Sequence, residues 1–116
     1  MSQVRAAHLL IKHTDSRNPT SRRTGQAVKI TPSAAQAELL QYQQQIQTHA
    51  DGINSFPIFA NERSDCSSFK HNGDLGFFGR GMMQKPFEDA AFALKVGEMS
   101  DIVSTDSGFH LIYRIA

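Results

Sequence analysis

The chain has 116 residues, 40% hydrophobic and 20% charged, with a formal net charge of +1 and a single cysteine, Cys66. That length suits one domain, residues 1–116, with one ordinary core, and the composition excludes a disordered chain. Near-zero charge argues against a general nucleic-acid binder, and one cysteine excludes an intrachain disulfide framework or a cysteine-built zinc cage.

The first residues carry no charged n-region followed by a long apolar stretch, and no run approaches a membrane span. A cytosolic or nuclear setting is expected, with neither membrane nor nucleic acid as partner. Charge is nevertheless uneven. Between positions 12 and 29, Lys12, Arg17, Arg22, Arg23 and Lys29 face one acid, Asp15. A basic loop on a nearly neutral protein favours one anionic group bound at one place over a long polyanion.

Val4 to His13 is predicted as a strand, apolar on both faces and hence central. Residues 14–29 have no period and form a loop longer than most connections, the kind that is usually functional or mobile. Thr31-Pro32 starts a helix, with a hydroxyl N-cap and proline at its first position. Ala35, Leu39, Tyr42 and Ile46 mark its apolar face, the glutamines 41, 43, 44, 45 and 47 its solvated face, and Asp51-Gly52 its end. A shorter helix follows Asn54-Ser55 through Phe56, Phe59 and Ala60. Asn72-Gly73 is a turn and Asp74 to Gly79 a short strand. Lys85-Pro86 opens a further helix burying Phe87, Ala90, Ala91 and Leu94, with Gly97 past its end. Ile102 to Thr105 and Phe109 to Ile115 are strands joined by Asp106-Ser107-Gly108, a hairpin signal. This order indicates an α+β fold with a small mixed or antiparallel sheet.

Three groups of residues carry possible chemistry. Cys66 suggests a nucleophile if a histidine holds it as thiolate, and a buried structural thiol otherwise. His8 and His110 sit mid-strand among apolar neighbours, so they are either satisfied core residues or a pair meeting across the sheet and sharing hydrogen bonds with Thr105 or Ser107. No third ligand has helpful spacing, so no metal is expected. Lys12 follows His8 by four residues, roughly 13 Å along a strand; it and Arg17, Arg22 and Arg23 either surround a phosphate or are solvated loop charges. Leu75, Phe77, Phe78, Met82, Met83 and Phe87 are either core or the lining of an apolar slot facing Cys66.

Five strings then resemble one family in order and over essentially the whole chain. They are Val4 to His13, Ser64-Asp65-Cys66-Ser67-Ser68, Gly73-Asp74-Leu75-Gly76, Met83-Gln84-Lys85-Pro86-Phe87-Glu88-Asp89-Ala90, and Thr105-Asp106-Ser107-Gly108-Phe109-His110. Together they resemble the parvulin peptidyl-prolyl cis–trans isomerases, above all the subgroup directed to phosphoserine- or phosphothreonine-proline bonds. The resemblance implies an FKBP-like α+β superfold, a four-stranded mainly antiparallel sheet surrounded by about four helices. It implies catalytic roles for His8, Cys66, Thr105, Ser107 and His110. It also implies a proline pocket of Leu75, Met83, Gln84 and Phe87, and a phosphate cluster drawn from Lys12, Arg17, Arg22 and Arg23. No cofactor is implied; the partners would be phosphorylated Ser/Thr-Pro proteins, met by a monomer.

Two departures stand out. Where the subgroup has Ser-Arg-Arg-Pro, this chain has Ser16-Arg17-Asn18-Pro19, so one guanidinium is missing and Arg22 or Arg23 would have to supply it. Many relatives carry an N-terminal WW module; with no tryptophan and a strand starting at residue 4, none is expected here. Two other readings stay open: a phospho-Ser/Thr-Pro binding module with little turnover, and a thiol hydrolase built on Cys66.

Overall fold

The computed structural model describes residues 2–116. Strand β1 spans Gln3–Ile11, helix α1 Pro32–Thr48, helix α2 Phe56–Arg63, strand β2 Asp74–Gly79, helix α3 Lys85–Ala93, strand β3 Val103–Thr105 and strand β4 Gly108–Arg114. Short 3-10 turns at Gly52–Ser55 and Ser67–His71 complete the described elements. The four strands form one sheet in the order β2-β1-β4-β3, every pairing antiparallel. The architecture is therefore the expected α+β one, with three α-helices where about four helices were expected.

Alternation along β1 sends its residues to two cores. Ala7, Leu9 and Ile11 pack with Leu111 of β4 under α1 and α2, against Ala35, Leu39, Ile46, Phe56 and Ala60. Val4 and Ala6 pack on the opposite face with Phe78, Ile112 and the α3 residues Phe87 and Ala91. His8, Leu10 and Lys12 continue along this second face, beyond where the α3 core fills it. Burial on both faces is why apolar residues run along both sides of this strand, from Val4 to Ile11.

Helix α1 starts as expected: the Thr31 hydroxyl accepts from the Ala34 amide at 3.2 Å, and proline follows it. It ends three residues before Asp51, because His49 turns to extended backbone and Gly52, at φ +55°, opens a separate 3-10 turn. Gln43 departs from the solvated face assigned to it. It is buried, and its amide donates to Asp101 at 3.3 Å, which satisfies a polar group inside the α1 interface.

Strand β1 stops at Ile11 because the next amides leave the ladder. Lys12 N–H goes to the Asp65 carboxylate at 3.0 Å and His13 N–H to the Ser16 hydroxyl at 3.0 Å. Strand β2 pairs only with the first half of β1, up to Ala7 opposite Asp74. Beyond it, the exposed β1 edge is satisfied in another way. His8 N–H donates to Gly73 O at 2.9 Å, Leu10 N–H to the Ser64 hydroxyl at 3.0 Å, and Leu10 O accepts from Asp65 N–H at 2.8 Å. Ser64 and Asp65 thus act as a short substitute strand, and they leave Cys66 beside the end of β1.

Candidate active site

The β1–β4 register places Leu10 opposite His110 and His8 opposite Ile112, so the two histidines are diagonal neighbours on one face. Their Nδ1 atoms lie 3.0 Å apart, one donating and the other accepting, with the rings stacked at a 20° interplanar angle. The Thr105 hydroxyl lies 2.7 Å from His110 Nε2 and also accepts from Ser107 N–H at 3.1 Å. The Asp106-Ser107 turn of the β3–β4 hairpin is thereby tied to the histidine pair. Phe87, from the first turn of α3, sets its ring edge-to-face against both imidazoles at 5.4 and 5.2 Å. Burial, reinforced by the neighbouring His8 charge, pushes His110 well below the usual histidine range.

The Cys66 thiol is half-buried. Burial pushes it up, but the His8 ring, as hydrogen-bond donor and as charge, and the Ser68 hydroxyl and amide pull it down further, to about 6. Two buried polar atoms, His8 Nε2 and the Ser68 hydroxyl oxygen, have no hydrogen-bond partner within the protein. A thiolate at Cys66 is the group that both would address.

Below the histidines lies an apolar cavity of about 190 Å³, lined by His8, Leu10, Cys66, Leu75, Met83, Gln84, Phe87, Ser107 and His110. The β1–β2 ladder has one extra residue on β2, where Arg5 faces Phe77 but Ala7 faces Asp74. This bulge turns Leu75 and Phe78, an odd number of residues apart, to the same side of the sheet. Leu75 then lines the cavity while Phe78 is fully buried behind it. Phe77 and Met82, read as core or pocket candidates, instead lie exposed, at 58% and 65%. The Glu88 carboxylate accepts from Gly81 N–H at 2.5 Å and Arg80 at 3.1 Å, fixing the segment that carries Met83 and Gln84. The Gln84 amide bridges to the hairpin, donating to Ser107 at 2.8 Å and accepting from Asp106 N–H at 3.1 Å.

A second cavity of about 230 Å³ shares Leu10, Cys66 and Ser107 with the first and adds Lys12, Arg17, Asn18, Arg22 and Ser67. Its basic loop is anchored at Arg17 N–H, 2.7 Å from Asp106 O, and at Arg22 N–H, 2.9 Å from Asp65 O. The Lys12 ammonium spends two donors on Asn18 O at 2.9 Å and Thr20 O at 2.7 Å, which leaves one. Burial, then the Arg22 charge, lower Lys12 from the usual lysine range; Asp65 and Cys66 oppose this, and Arg17 adds to it less than Arg22 does.

Arg23 departs from the expected cluster. Its amide turns to the Ser21 hydroxyl at 3.2 Å, its Nε is buried without a partner, and it is absent from the basic cavity. Arg22 and Arg23 sit in a turn closed by Gly25 N–H on Ser21 O at 2.8 Å, and Arg22 alone of the pair lines the basic cavity. Burial raises the Tyr42 phenol of α1, and Arg23 is among the charges that counter it. Ser64 and Asp65, quoted from the sequence only as part of the string around Cys66, were given no role there; the structure shows that they position Cys66. Among the described residues, no group of three or more His, Cys, Asp or Glu side chains is arranged to hold a metal, and no helix is long and apolar enough to cross a membrane.

A family model described as Rotamase, the PPIC-type PPIase domain, matches residues 8–116. The chain is 52% identical over 116 residues to a peptidyl-prolyl cis-trans isomerase NIMA-interacting 1 of Theileria annulata, covering 100% of this chain and 82% of that protein. It is 52% identical over 113 residues to the peptidyl-prolyl cis-trans isomerase ESS1 of Saccharomyces cerevisiae, covering 97% of this chain and 65% of that protein. Among solved structures, the peptidyl-prolyl isomerase ESS1 from Candida albicans superposes with a TM-score of 0.92 at 43% identity, over 98% of this chain and 63% of that one. The solution structure of TbPIN1 superposes with a TM-score of 0.86 at 53% identity, over the full length of both chains.

Proposed function

The chain belongs to the PPIC-type peptidyl-prolyl cis–trans isomerases, the parvulins, and we propose that it acts on bonds in which proline follows phosphoserine or phosphothreonine. One observation carries this reading: the apolar cavity and the basic cavity join edge to edge through Leu10, Cys66 and Ser107. A peptide with its proline ring among Leu75, Met83 and Phe87 would lay the preceding side chain toward Lys12, Arg17 and Arg22. Gln84, at the cavity rim and tied to Ser107, would fix the backbone near the reacting bond. The partners would be phosphorylated Ser/Thr-Pro proteins, met as a monomer in the cytosol or nucleus.

Isomerisation makes and breaks no bond. Its barrier, about 18–20 kcal/mol, comes from lost amide resonance, and the uncatalysed X-Pro process takes tens to hundreds of seconds. The twisted transition state has a less polar carbonyl and a more pyramidal nitrogen than either planar isomer. A dry slot that grips the ring, with the preceding residue pinned by its phosphate, favours that twist over both ground states. A reduction of about 5–7 kcal/mol gives roughly four to five decades of rate. In this noncovalent scheme His8, His110, Thr105, Ser107 and Cys66 set the polarity around the carbonyl, and burial keeps His110 neutral.

The test compares isomerisation of Ser-Pro, phosphoSer-Pro and Glu-Pro versions of one peptide. PhosphoSer-Pro turns over fastest, Glu-Pro next, and Arg17→Ala narrows the gap; equal rates for all three peptides would refute the phosphate assignment. Cys66→Ser retains substantial activity in a noncovalent mechanism, whereas a trapped covalent adduct at Cys66 would overturn it.

A further inference from the structure

Asp65 is a buried carboxylate that touches neither cavity, yet it holds the basic loop from three sides. Its Oδ1 accepts from the Ser21 hydroxyl at 2.6 Å and from Arg63 at 3.1 Å, its Oδ2 accepts from Lys12 N–H at 3.0 Å, and its backbone carbonyl accepts from Arg22 N–H at 2.9 Å. Ser21, buried in turn, accepts from Arg23 N–H at 3.2 Å, so its oxygen closes the turn on the far side of Arg22. Arg22 is therefore clamped at its own amide, at the residue before it and at the residue after it, while its side chain borders the basic cavity.

The site needs that clamp. A phosphomonoester carries about −1.5 to −2 charges near neutral pH. Lys12 has one free donor, and Asn18 gives the cavity a neutral side chain, leaving Arg17 and Arg22 as the guanidinium groups on its wall. An arginine on a free loop loses much of its binding to the entropy of ordering it, and a preorganised one does not.

We propose that the Ser21–Asp65 hydrogen bond is a positioning latch that holds Arg22 at the phosphate site, making Ser21 and Asp65 determinants of phosphopeptide specificity that never touch the substrate. This rests on the phosphate reading above. It adds the residues that make Arg22, rather than Arg23, the replacement for the guanidinium missing at Asn18.

The experiment reads the ratio of kcat/KM for phosphoSer-Pro over Ser-Pro peptide in the full chain. Arg22→Ala lowers that ratio about tenfold, the scale of one charge-assisted pair. Ser21→Ala and Asp65→Asn lower it about three- to tenfold through KM for the phosphopeptide rather than through kcat. The decisive arm is the double variant: Ser21→Ala costs nothing further in an Arg22→Ala background, because it acts through that side chain. Additive losses, or a loss in kcat for both peptides alike, overturn the latch and leave Ser21 a merely structural residue. If Asp65→Asn does not fold, Ser21→Ala and its cycle decide alone. If Arg17→Ala and Arg22→Ala both keep the full phosphopeptide preference, the phosphate reading itself has failed. If they lose it while Ser21→Ala keeps it, the latch alone has.

Discussion

Gly73 lies directly against the backbone of His8, accepting its amide proton at 2.9 Å, and a β-carbon at position 73 would land on the His8 carbonyl oxygen. The same β-carbon would stand 2.9 Å from the side chain of Ala60, at a φ of +83° that L residues rarely adopt. The turn that ends the 3-10 segment after Cys66 is thus pressed into the strand that carries one histidine of the pair. Gly73→Ala combines backbone strain with overpacking and should cost about 2–4 kcal/mol. Urea unfolding reads that loss. Isomerase activity should fall as well, because the clash moves His8 itself; a variant as stable as the parent would mean that the chain has room for a β-carbon at position 73.

His110 gives the protein a pH dependence of definite sign. Burial disfavours its charged form, as does the His8 charge, so it stays neutral in the folded state at pH values where the unfolded chain takes up a proton. Stability from this group is complete above the unfolded histidine value of about 6.5 and is lost as pH falls toward the lower folded value. The slope approaches about 1.4 kcal/mol per pH unit for one proton. Urea midpoints measured between pH 7 and pH 5 should fall more steeply for the parent than for His110→Asn. Parallel curves would mean that His110 takes up its proton without penalty.

Much of the fold around this site could be read in the chain because its signals are local. Thr31-Pro32, Asn72-Gly73 and Lys85-Pro86 mark element starts and turns through capping and backbone preferences that depend on near neighbours. His8 and His110 stand out as polar residues inside apolar strands, but their diagonal contact, 102 residues apart in sequence, depends on the β1–β4 register. What stayed hidden is non-local. Ser64 and Asp65 complete the edge of a strand 53 or 54 residues away with side-chain atoms, which leaves no period to detect. Gln43 looks like its solvated neighbours until Asp101, 58 residues on, is placed beside it. The bulge that turns Leu75 into the slot shows only as a glycine at position 76, compatible with several backbones.

The carboxylate that organises the loop depends in turn on Arg63. That guanidinium holds Glu38 of α1 at 2.5 and 3.1 Å and Asp65 at 3.1 Å, so it joins α1, α2 and the substitute strand. Arg63→Met keeps the aliphatic stem but leaves Asp65, at 1% exposure, without its counter-ion. The expected cost is about 3–5 kcal/mol, that of an uncompensated buried charge. Adding Glu38→Gln to that variant should cost little more, because Glu38 is far more open to water than Asp65. A large second loss in chemical denaturation would place the stabilisation in the Glu38 pair instead.

Cys66 offers the most direct probe of the site, since its thiol reports on His8. Burial alone would raise it, and its descent to about 6 rests on His8 first and Ser68 second. Alkylation by iodoacetamide should therefore follow a titration centred near pH 6, with thiolate absorbance rising over the same range. Because the folded value lies below the unfolded one, the thiolate favours the folded state. That contribution is complete above the unfolded value, close to 9, and disappears as pH falls through about 6. His8→Ala removes the main downward influence and leaves burial in place, so the inflection should move up toward the ordinary thiol range. Ser68→Ala should move it in the same direction by less. A parent inflection near 9 would show that the thiol at the rim of the proline slot is neutral during turnover, and one near 6 but indifferent to His8→Ala would show that the histidine is not what lowers it.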